Sequence, residues 1–341
     1  MTSQEQHAAA SHGAAGTART MRAIVQDAYG SADVLRMARI PRPTPADNEV
    51  LIRVRATGLD RGTWHLTTGT PYLLRLVFGI RRPRNPVPGR DLAGTVVAVG
   101  AGVQRFRVGE EVFGIGQGSF AEYAVAREEK LARKPANLSF EQAAVVPVSG
   151  LTALQGLREA GHIQPGQKVL ILGASGGVGS YAVQLAKAFG AEVTGVCSTA
   201  KLDLVRSLGT DHVLDYTRDD FADGTDRYDL ILDIAGNPAL SRLRRALTPA
   251  GTAVIVGGEE GGKWTGSIDR QFRALALSRL TRQRLTFLVC EEAGDLDTLA
   301  GLLETGTLTP SIDRTFPLDQ VPEAMRYFDA GQTRGKIAIT A

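Results

Sequence analysis

The sequence predicts an α/β fold, with a coiled β-rich first half followed by a doubly wound parallel sheet. Three observations carry that expectation. Val169 to Val193 reads as strand, glycine turn, helix and the start of another strand. From Gly166 onward, short apolar strands alternate with helical stretches. Before residue 147 the strands instead alternate apolar with polar residues and hold internal glycines.

The first observation organises the rest. Val169, Leu170, Ile171 and Leu172 form a continuous apolar run, as in a parallel strand buried on both faces. The run stops at Gly173-Ala174-Ser175-Gly176-Gly177-Val178-Gly179, where side chains nearly vanish. Val178, Ala182, Leu185, Ala186 and Phe189 then recur at helical spacing, Gly190 closes the helix, and Glu192 to Cys197 is the next strand. A bare glycine turn between strand and helix is an anion site. The first-turn N–H groups lack partners in the helix, the dipole adds positive potential, and missing Cβ atoms let a pyrophosphate approach. The spacing Gly173-x-x-Gly176-x-x-Gly179 departs from the usual dinucleotide fingerprint in having Ala174 where that fingerprint has its first glycine. Strand and helix on either side predict a cofactor rather than a tight connection that binds nothing.

A chain of 341 residues suggests two domains rather than one core. Its 43% apolar and 22% charged residues describe a globular protein, and a net charge of +3 points to neither a nucleic-acid binder nor a membrane-surface protein. Arginines gather at Arg81, Arg82, Arg84 and Arg90, and again at Arg270, Arg273, Arg279, Arg282 and Arg284; both groups read as solvated faces. Having only two cysteines, Cys197 and Cys290, argues against a disulfide framework, excludes a four-cysteine structural zinc, and suits a reducing, cytoplasmic setting. No apolar run reaches transmembrane length, and residues 1–20, rich in Ala, Ser, Gly and Thr, read as a disordered tail.

Along the chain, strands are expected at Met21 to Gln26, Val34 to Ile40, Val50 to Ala56, Gly89 to Gly100, Val108 to Gly116 and Ser119 to Val125. Thr70 to Pro88 is long for a plain connection and reads either as a lid at a substrate mouth or as a short helix packed on the barrel. Ser139 followed by Gln142 is a capping box, and Pro147 to Leu157 continues helically. Parallel strands follow at 168–173, 192–197, 211–215, 229–234 and 252–257, then a strand from Leu285 to Cys290. Helices are expected at Asp295 to Glu304 and Val321 to Ala330, with an extended stretch from Pro310 to Pro317 between them. The last strand, Gly335 to Thr340, alternates like the first half and is expected to return to it.

Together GRDLAGTVVAVG, VGEEVFG, GSFAEYAV, PVSGLTAL, VLILGASGGVG and VPEAMRYFDAGQTRGKIAI resemble the medium-chain dehydrogenase/reductase superfamily over nearly all of residues 21–341. The resemblance implies a GroES-like coiled barrel at 21–147, a Rossmann nucleotide-binding domain at 148–290 and a C-terminal return at 291–341. Where zinc alcohol dehydrogenases of that superfamily have a ligand cysteine and a Gly-His-Glu, this chain has Asp60 and Gly89-Arg90-Asp91. A third ligand cysteine near residue 148 and the four-cysteine lobe are also missing. Asp60 alone cannot hold a catalytic zinc. The chain therefore resembles the zinc-independent quinone oxidoreductase and enoyl-reductase branch, and no metal is assigned.

At the end of the second parallel strand, NAD enzymes place an acid for the ribose diol, whereas this chain has Ser198, Thr199 and Lys201. Hydroxyls and an ammonium suit the 2′-phosphate of NADPH, and Tyr216 matches a tyrosine that reaches it in quinone oxidoreductases. The cofactor group is completed by Thr152, the turn from Ala174 to Gly179, Gly257, Gly258 and Lys336.

Without a metal to polarise a ketone, hydride addition to an enone or quinone is the expected reaction. Asp60 stands near where relatives carry an asparagine beside the nicotinamide ribose. It could accept a ribose hydroxyl or donate a proton. His65 matches a relay histidine, but Gly62 stands where that relay has its hydroxyl. Trp64 and Tyr72 are candidate pocket residues, with core packing as the rival reading. Alternatives are a zinc-independent alcohol or aldehyde reductase, or a non-catalytic NADPH-binding sensor or structural protein. A homodimer through the strand at 285–290 is expected.

Overall fold

The structure, a computed structural model, describes residues 19–257, 262–266, 268–291 and 294–341. The tail expected at residues 1–20 lies outside them except for its last two residues, and Thr20 already belongs to a strand; Gly258 also lies outside.

Six parallel strands form one sheet, in the spatial order His212–Asp215, Glu192–Cys197, Lys168–Leu172, Tyr228–Asp233, Leu247–Ile255 and Arg284–Phe287. Counted along the chain this is the order 3-2-1-4-5-6 of a doubly wound sheet, whose ligand crevice opens where the order reverses, beside Lys168–Leu172. The continuous apolar run of that strand is explained by its two cores. Val169 and Ile171 are fully buried in one, which includes Leu154, Leu157 and Tyr181, while Leu170 and Leu172 enter the other, with Ile231 and Leu243. Burial of each such side chain contributes about 1.5–3 kcal/mol.

A second, seven-stranded sheet contains Glu49–Leu59, Asp91–Val99, Glu111–Ile115, Tyr123–Arg127, Leu131–Arg133, Ile312–Pro317 and Lys336–Thr340. Glu49–Leu59 is its hub: Val50, Ile52 and Val54 face a core with Leu92 and Phe106, while Arg53 and Arg55 stay exposed. Lys336–Thr340 pairs antiparallel with that hub and parallel with Ile312–Pro317, so the end of the chain is built into the sheet begun near residue 50. Thr20–Val25 and Arg36–Pro41 make a separate two-stranded ribbon.

Several boundaries differ from the sequence reading. Residues 119–122 are not strand, because Ser119 N and Phe120 N donate to the carbonyls of Gly89 and Pro88, and the strand starts at Tyr123. The expected strand through Cys290 ends at Phe287, since Gln155 holds both the amide and the carbonyl of Glu291 (2.8 and 2.9 Å) and turns the backbone away from the sheet. The capping box forms as expected, with Ser139 Oγ accepting from Gln142 N and Gln142 Oε1 accepting from Ser139 N. The stretch from Thr70 onward does contain a short helix, but that helix is not packed on the barrel. The turn at Tyr72–Leu74 and the helix at Arg75–Phe78 leave their apolar side chains largely exposed.

Candidate active site

The glycine turn is built by close approach. Gly173 has φ +86°, and a Cβ on Gly179 would strike the Gly173 carbonyl, so only glycine lets the helix Gly177–Ala188 start this near the strand. Gly177 is approached from below: its Cβ would lie 2.9 Å from Lys336 Cδ. Gly176, by contrast, opens to space, its nearest neighbour being the Gly173 oxygen at 3.4 Å from a Cβ. Gly176 is the N-cap and supplies no side-chain cap, so the first-turn amides point outward unoccupied by protein. Val178 is half-buried there, whereas Ala174 and Ser175 are buried beneath the turn. A pyrophosphate fits this cradle on geometry and charge alike.

Lys336 lies under the turn rather than over it. It is 2% exposed; Nζ donates to Ser149 Oγ at 3.0 Å and meets Asp91 Oδ2 at 3.5 Å, and the Gly335 amide donates to the Ser175 carbonyl at 2.8 Å. Asp91 Oδ1 accepts from Val148 N at 2.9 Å. The cluster thus ties the last strand, the helix Pro147–Gln155 and the seven-stranded sheet to the glycine turn. Burial pushes the Asp91 carboxyl up to about 7, against the pull of the Lys336 ammonium, and neighbouring Asp60 adds to the rise.

At the end of Glu192–Cys197, Ser198 precedes a turn at Thr199–Lys201, and Tyr216 is 64% exposed beside it. Lys201 Nζ donates to the carbonyls of Gly331 and Thr333 (3.0 and 2.8 Å), which fixes its ammonium at the rim. The sequence reading found no carboxylate here, but the third strand supplies one. Asp215 pairs in register with Cys197 and accepts from the hydroxyls of Thr199 and Thr217, bonds that hold its carboxyl below its ordinary value. Arg218 lies 4.0 Å from it and is 75% exposed.

On the opposite wall, Asp60 caps the helix Arg61–Thr68, Oδ1 accepting from Thr63 N at 2.7 Å, and its buried Oδ2 has no hydrogen-bond partner. Arg90 reaches the same spot, for a Cβ on Gly62 would sit 3.0 Å from Asp60 Oδ1 and 3.5 Å from Arg90 Nη1. Its backbone is pinned by Gly116 N on the Arg90 carbonyl (2.8 Å) and by Gly118 N and Ser119 N on the Gly89 carbonyl. Across from it, burial pushes the Cys290 thiol up, opposed by the Thr152 hydroxyl and by the charge of Arg90. Thr152 Oγ1 also donates to the Val148 carbonyl at 2.7 Å. Gly257 is needed for close packing, since a Cβ would strike the Ile234 carbonyl.

The remaining expected residues lie at the margin. His65 Nδ1 bonds the Thr70 carbonyl at 2.6 Å and so anchors the loop that follows its helix. Trp64 packs against the core holding Leu59 and Phe316, under the Arg61 guanidinium. Tyr72 stacks edge-on against Trp264 at 5.4 Å. Sequence reasoning named Arg90 only as a surface arginine and as the residue where relatives have histidine, and missed Ser149, Asp215 and Arg218. Ser149 meets Lys336 from 187 positions away, and Asp215 meets Thr199 only because the third strand lies in register with the second.

Residues 46–136 match the family model described as alcohol dehydrogenase GroES-like domain, and residues 208–339 match that described as zinc-binding dehydrogenase. The chain is 32% identical over 335 residues to a chloroplast envelope quinone oxidoreductase homolog of Arabidopsis thaliana, covering 94% of this chain and 98% of the relative. It is 33% identical over 344 residues to an NADPH-dependent alkenal/one oxidoreductase of the same plant, chloroplastic, covering 94% and 80%. The solved quinone oxidoreductase from Coxiella burnetii superposes with a TM-score of 0.84 at 27% identity, covering 95% of this chain and all of that one. With a GroES-like domain joined to a doubly wound nucleotide fold, the chain belongs to the medium-chain dehydrogenase/reductase superfamily. Within that superfamily it falls in the quinone oxidoreductase-like branch and is an oxidoreductase.

Proposed function

We propose that this protein uses NADPH to reduce quinones or α,β-unsaturated carbonyl compounds, with no metal taking part. The observation that carries the reading is the helix start at Gly176 to Val178, which has no side-chain cap, is only half-buried and follows the strand beside which the order reverses. The names of the relatives support the acceptor classes and the choice of NADPH. So do Ser198, Lys201, Tyr216 and Arg218 around the end of the second strand, where Asp215 is already occupied by threonine hydroxyls.

When bound, the nicotinamide supplies a hydride. The chain's own residues do the rest. The bared amides hold the phosphates, and Asp60 Oδ2 is a free buried acceptor suited to a ribose hydroxyl. Arg90 offers a fixed cation for the oxygen on which negative charge grows as hydride reaches the acceptor. That same guanidinium argues against zinc, because it occupies the wall where the metal-binding branch has a histidine, and among the described residues no group of three His, Cys, Asp or Glu could hold a metal ion.

The cofactor side of the site is assigned to residues 148–290 and the acceptor side to 21–147 with 291–341. The free edge of Arg284–Phe287 supports a homodimer through that strand, and two cysteines support a cytoplasmic setting. NADPH oxidation measured against a panel of quinones and enones, with metal analysis of the same sample, tests the proposal. Turnover with at least one class and no bound zinc is expected. Tight NADPH binding without turnover of any acceptor would instead favour a nucleotide-binding module, and one zinc per chain would overturn the metal-free reading.

A further inference from the structure

A net charge of +3 averages over an uneven chain: residues 61–90 contain six arginines and no aspartate or glutamate. At the centre of this stretch Leu76, Val77 and Ile80 are 62%, 61% and 69% exposed, and Leu73 and Phe78 are each 42% exposed. Five large apolar side chains in eight residues is more than a scattered exposed leucine, and clustered apolar surface of this kind marks a contact face. Trp264, 75% exposed, joins the same face, its carbonyl accepting from Leu73 N at 3.1 Å and its ring stacked on Tyr72. Arg81, Arg82 and Arg84 follow at once, exposed and without an ion pair among the described residues.

The base of this projection is held firmly. Tyr29 Oη donates to the Gly79 carbonyl at 2.7 Å, Tyr72 N donates to the Lys263 carbonyl at 2.8 Å, and Arg84 N donates to the Phe78 carbonyl at 2.8 Å. The Arg75 guanidinium bonds the Gly69 carbonyl and lies against both the Tyr29 and Tyr72 rings, at 4.6 and 4.5 Å. A tethered base with apolar tips pointing outward presents the tips to something other than the chain itself.

Charge chooses the occupant. Residues 1–18 hold no apolar side chain larger than alanine apart from Met1, so they do not match the face. A second copy seated on it in two-fold fashion would set each arginine-rich stretch against another. An anionic lipid surface meets both demands. Apolar side chains enter the acyl boundary, Trp264 and Tyr72 suit the headgroup level, and guanidinium groups pair with lipid phosphates. We propose that Leu73 to Arg84, together with Trp264, docks this protein on an anionic membrane surface. The attachment is peripheral, since no described helix is long and apolar enough to cross a membrane. The projection starts at Thr70, whose carbonyl is held by His65 on the helix that Asp60 caps, so the docked face adjoins the candidate active site. Delivery of a lipid-dissolved acceptor would rest on the function proposed above, whereas the docking does not.

Flotation of the full chain with phosphatidylcholine vesicles, with and without phosphatidylglycerol, tests this. Binding is expected only when the anionic lipid is present, with a blue shift of tryptophan emission that Trp264→Phe removes. Replacing Arg81, Arg82 and Arg84 together by Ala should lower partitioning on the order of 100-fold. The triple variant Leu76→Asp, Val77→Asp, Ile80→Asp should abolish it while keeping NADPH affinity and melting temperature, because all three side chains are exposed. Absence of binding, or equal binding to both vesicle types, overturns the proposal. So does a dimer in solution that the triple aspartate variant converts to monomer while vesicles bind neither form, an outcome that assigns the face to a second copy. Failure of the acceptor assay leaves these readouts untouched, so the two readings fail separately.

Discussion

Lys336 Nζ and Asp91 Oδ2 meet at 3.5 Å in the interior, 1% and 0% exposed at their side chains, directly beneath the nucleotide turn. They are 245 positions apart in sequence, yet both stand on strands of the seven-stranded sheet. Lys336→Met removes the cation and leaves the carboxyl buried without it. Above neutral pH the loss expected is about 3 kcal/mol or more, the usual cost of breaking a buried pair, and it should be smaller in acid, where the carboxyl is protonated. Because the lysine stem also packs under Gly177, weaker NADPH binding should accompany the lower melting temperature. An unchanged melting curve with unchanged affinity would refute this account.

The pH dependence of stability carries a definite sign. Burial pushes Asp91 up to about 7 and Asp233 up to about 6, whereas in the unfolded chain both return to near 4. The folded state therefore holds these two protons more tightly, so the stability these two groups contribute is fully present below about pH 4 and is lost as pH rises through about 6 to 7. Melting temperature should decline over that window, with a shallower slope in Asp91→Asn. A slope identical to that of the parent protein would remove Asp91 from the explanation.

Two neighbouring glycines should respond differently to the same change. A Cβ at Gly179 collides with the Gly173 carbonyl, so Gly179→Ala is expected to destabilise the fold and abolish cofactor binding together. At Gly176 a Cβ has open space, so Gly176→Ala should melt near the parent temperature while binding NADPH at least ten-fold more weakly, its methyl filling the phosphate cradle. Calorimetric titration beside a melting curve separates the two. Equal affinity in Gly176→Ala would move the phosphates elsewhere.

Selectivity between NADPH and NADH is assigned to the end of the second strand. Replacing Ser198 and Lys201 together by Ala should weaken NADPH by about ten-fold or more while NADH changes little. Arg218→Ala should act in the same direction, since its exposed guanidinium faces the rim beside Asp215. Equal losses for the two nucleotides would show that Lys201, bonded to the Gly331 and Thr333 carbonyls, serves only to hold that loop.

Arg90→Met is expected to cut kcat on the order of 100-fold, the size of effect seen when one fixed donor to a developing oxyanion is removed, with NADPH affinity preserved. Steady-state kinetics on an enone the parent turns over, with and without added guanidinium, is the check. Retained kcat would exclude the arginine from charge stabilisation.

The parallel sheet was readable because its signal is local. Val169 to Leu172 must be apolar on both sides, and the glycines after it mark where the backbone bends sharply. The capping box at Ser139 and Gln142 was readable for the same reason. What escaped was set by long-range company. Asp91 reads locally as half of a missing metal motif, whereas in the fold it faces Lys336, which also bonds Ser149. Asp215 could be seen as a rival to a 2′-phosphate only once the third strand lay in register with the second. The strand expected through Cys290 stops early because a glutamine on a distant helix captures the next backbone unit.

The position of Lys336–Thr340 bears on how the protein is made. The strand lies between Ile312–Pro317 and Glu49–Leu59, so the sheet that begins near residue 50 cannot close until residues 336–340 have left the ribosome. The six strands of the parallel sheet, by contrast, are all synthesised once Phe287 has been added. Between these two sheets, order of synthesis and order of completion are thus reversed, and deleting residues 336–341 would leave the first sheet without its closing strand.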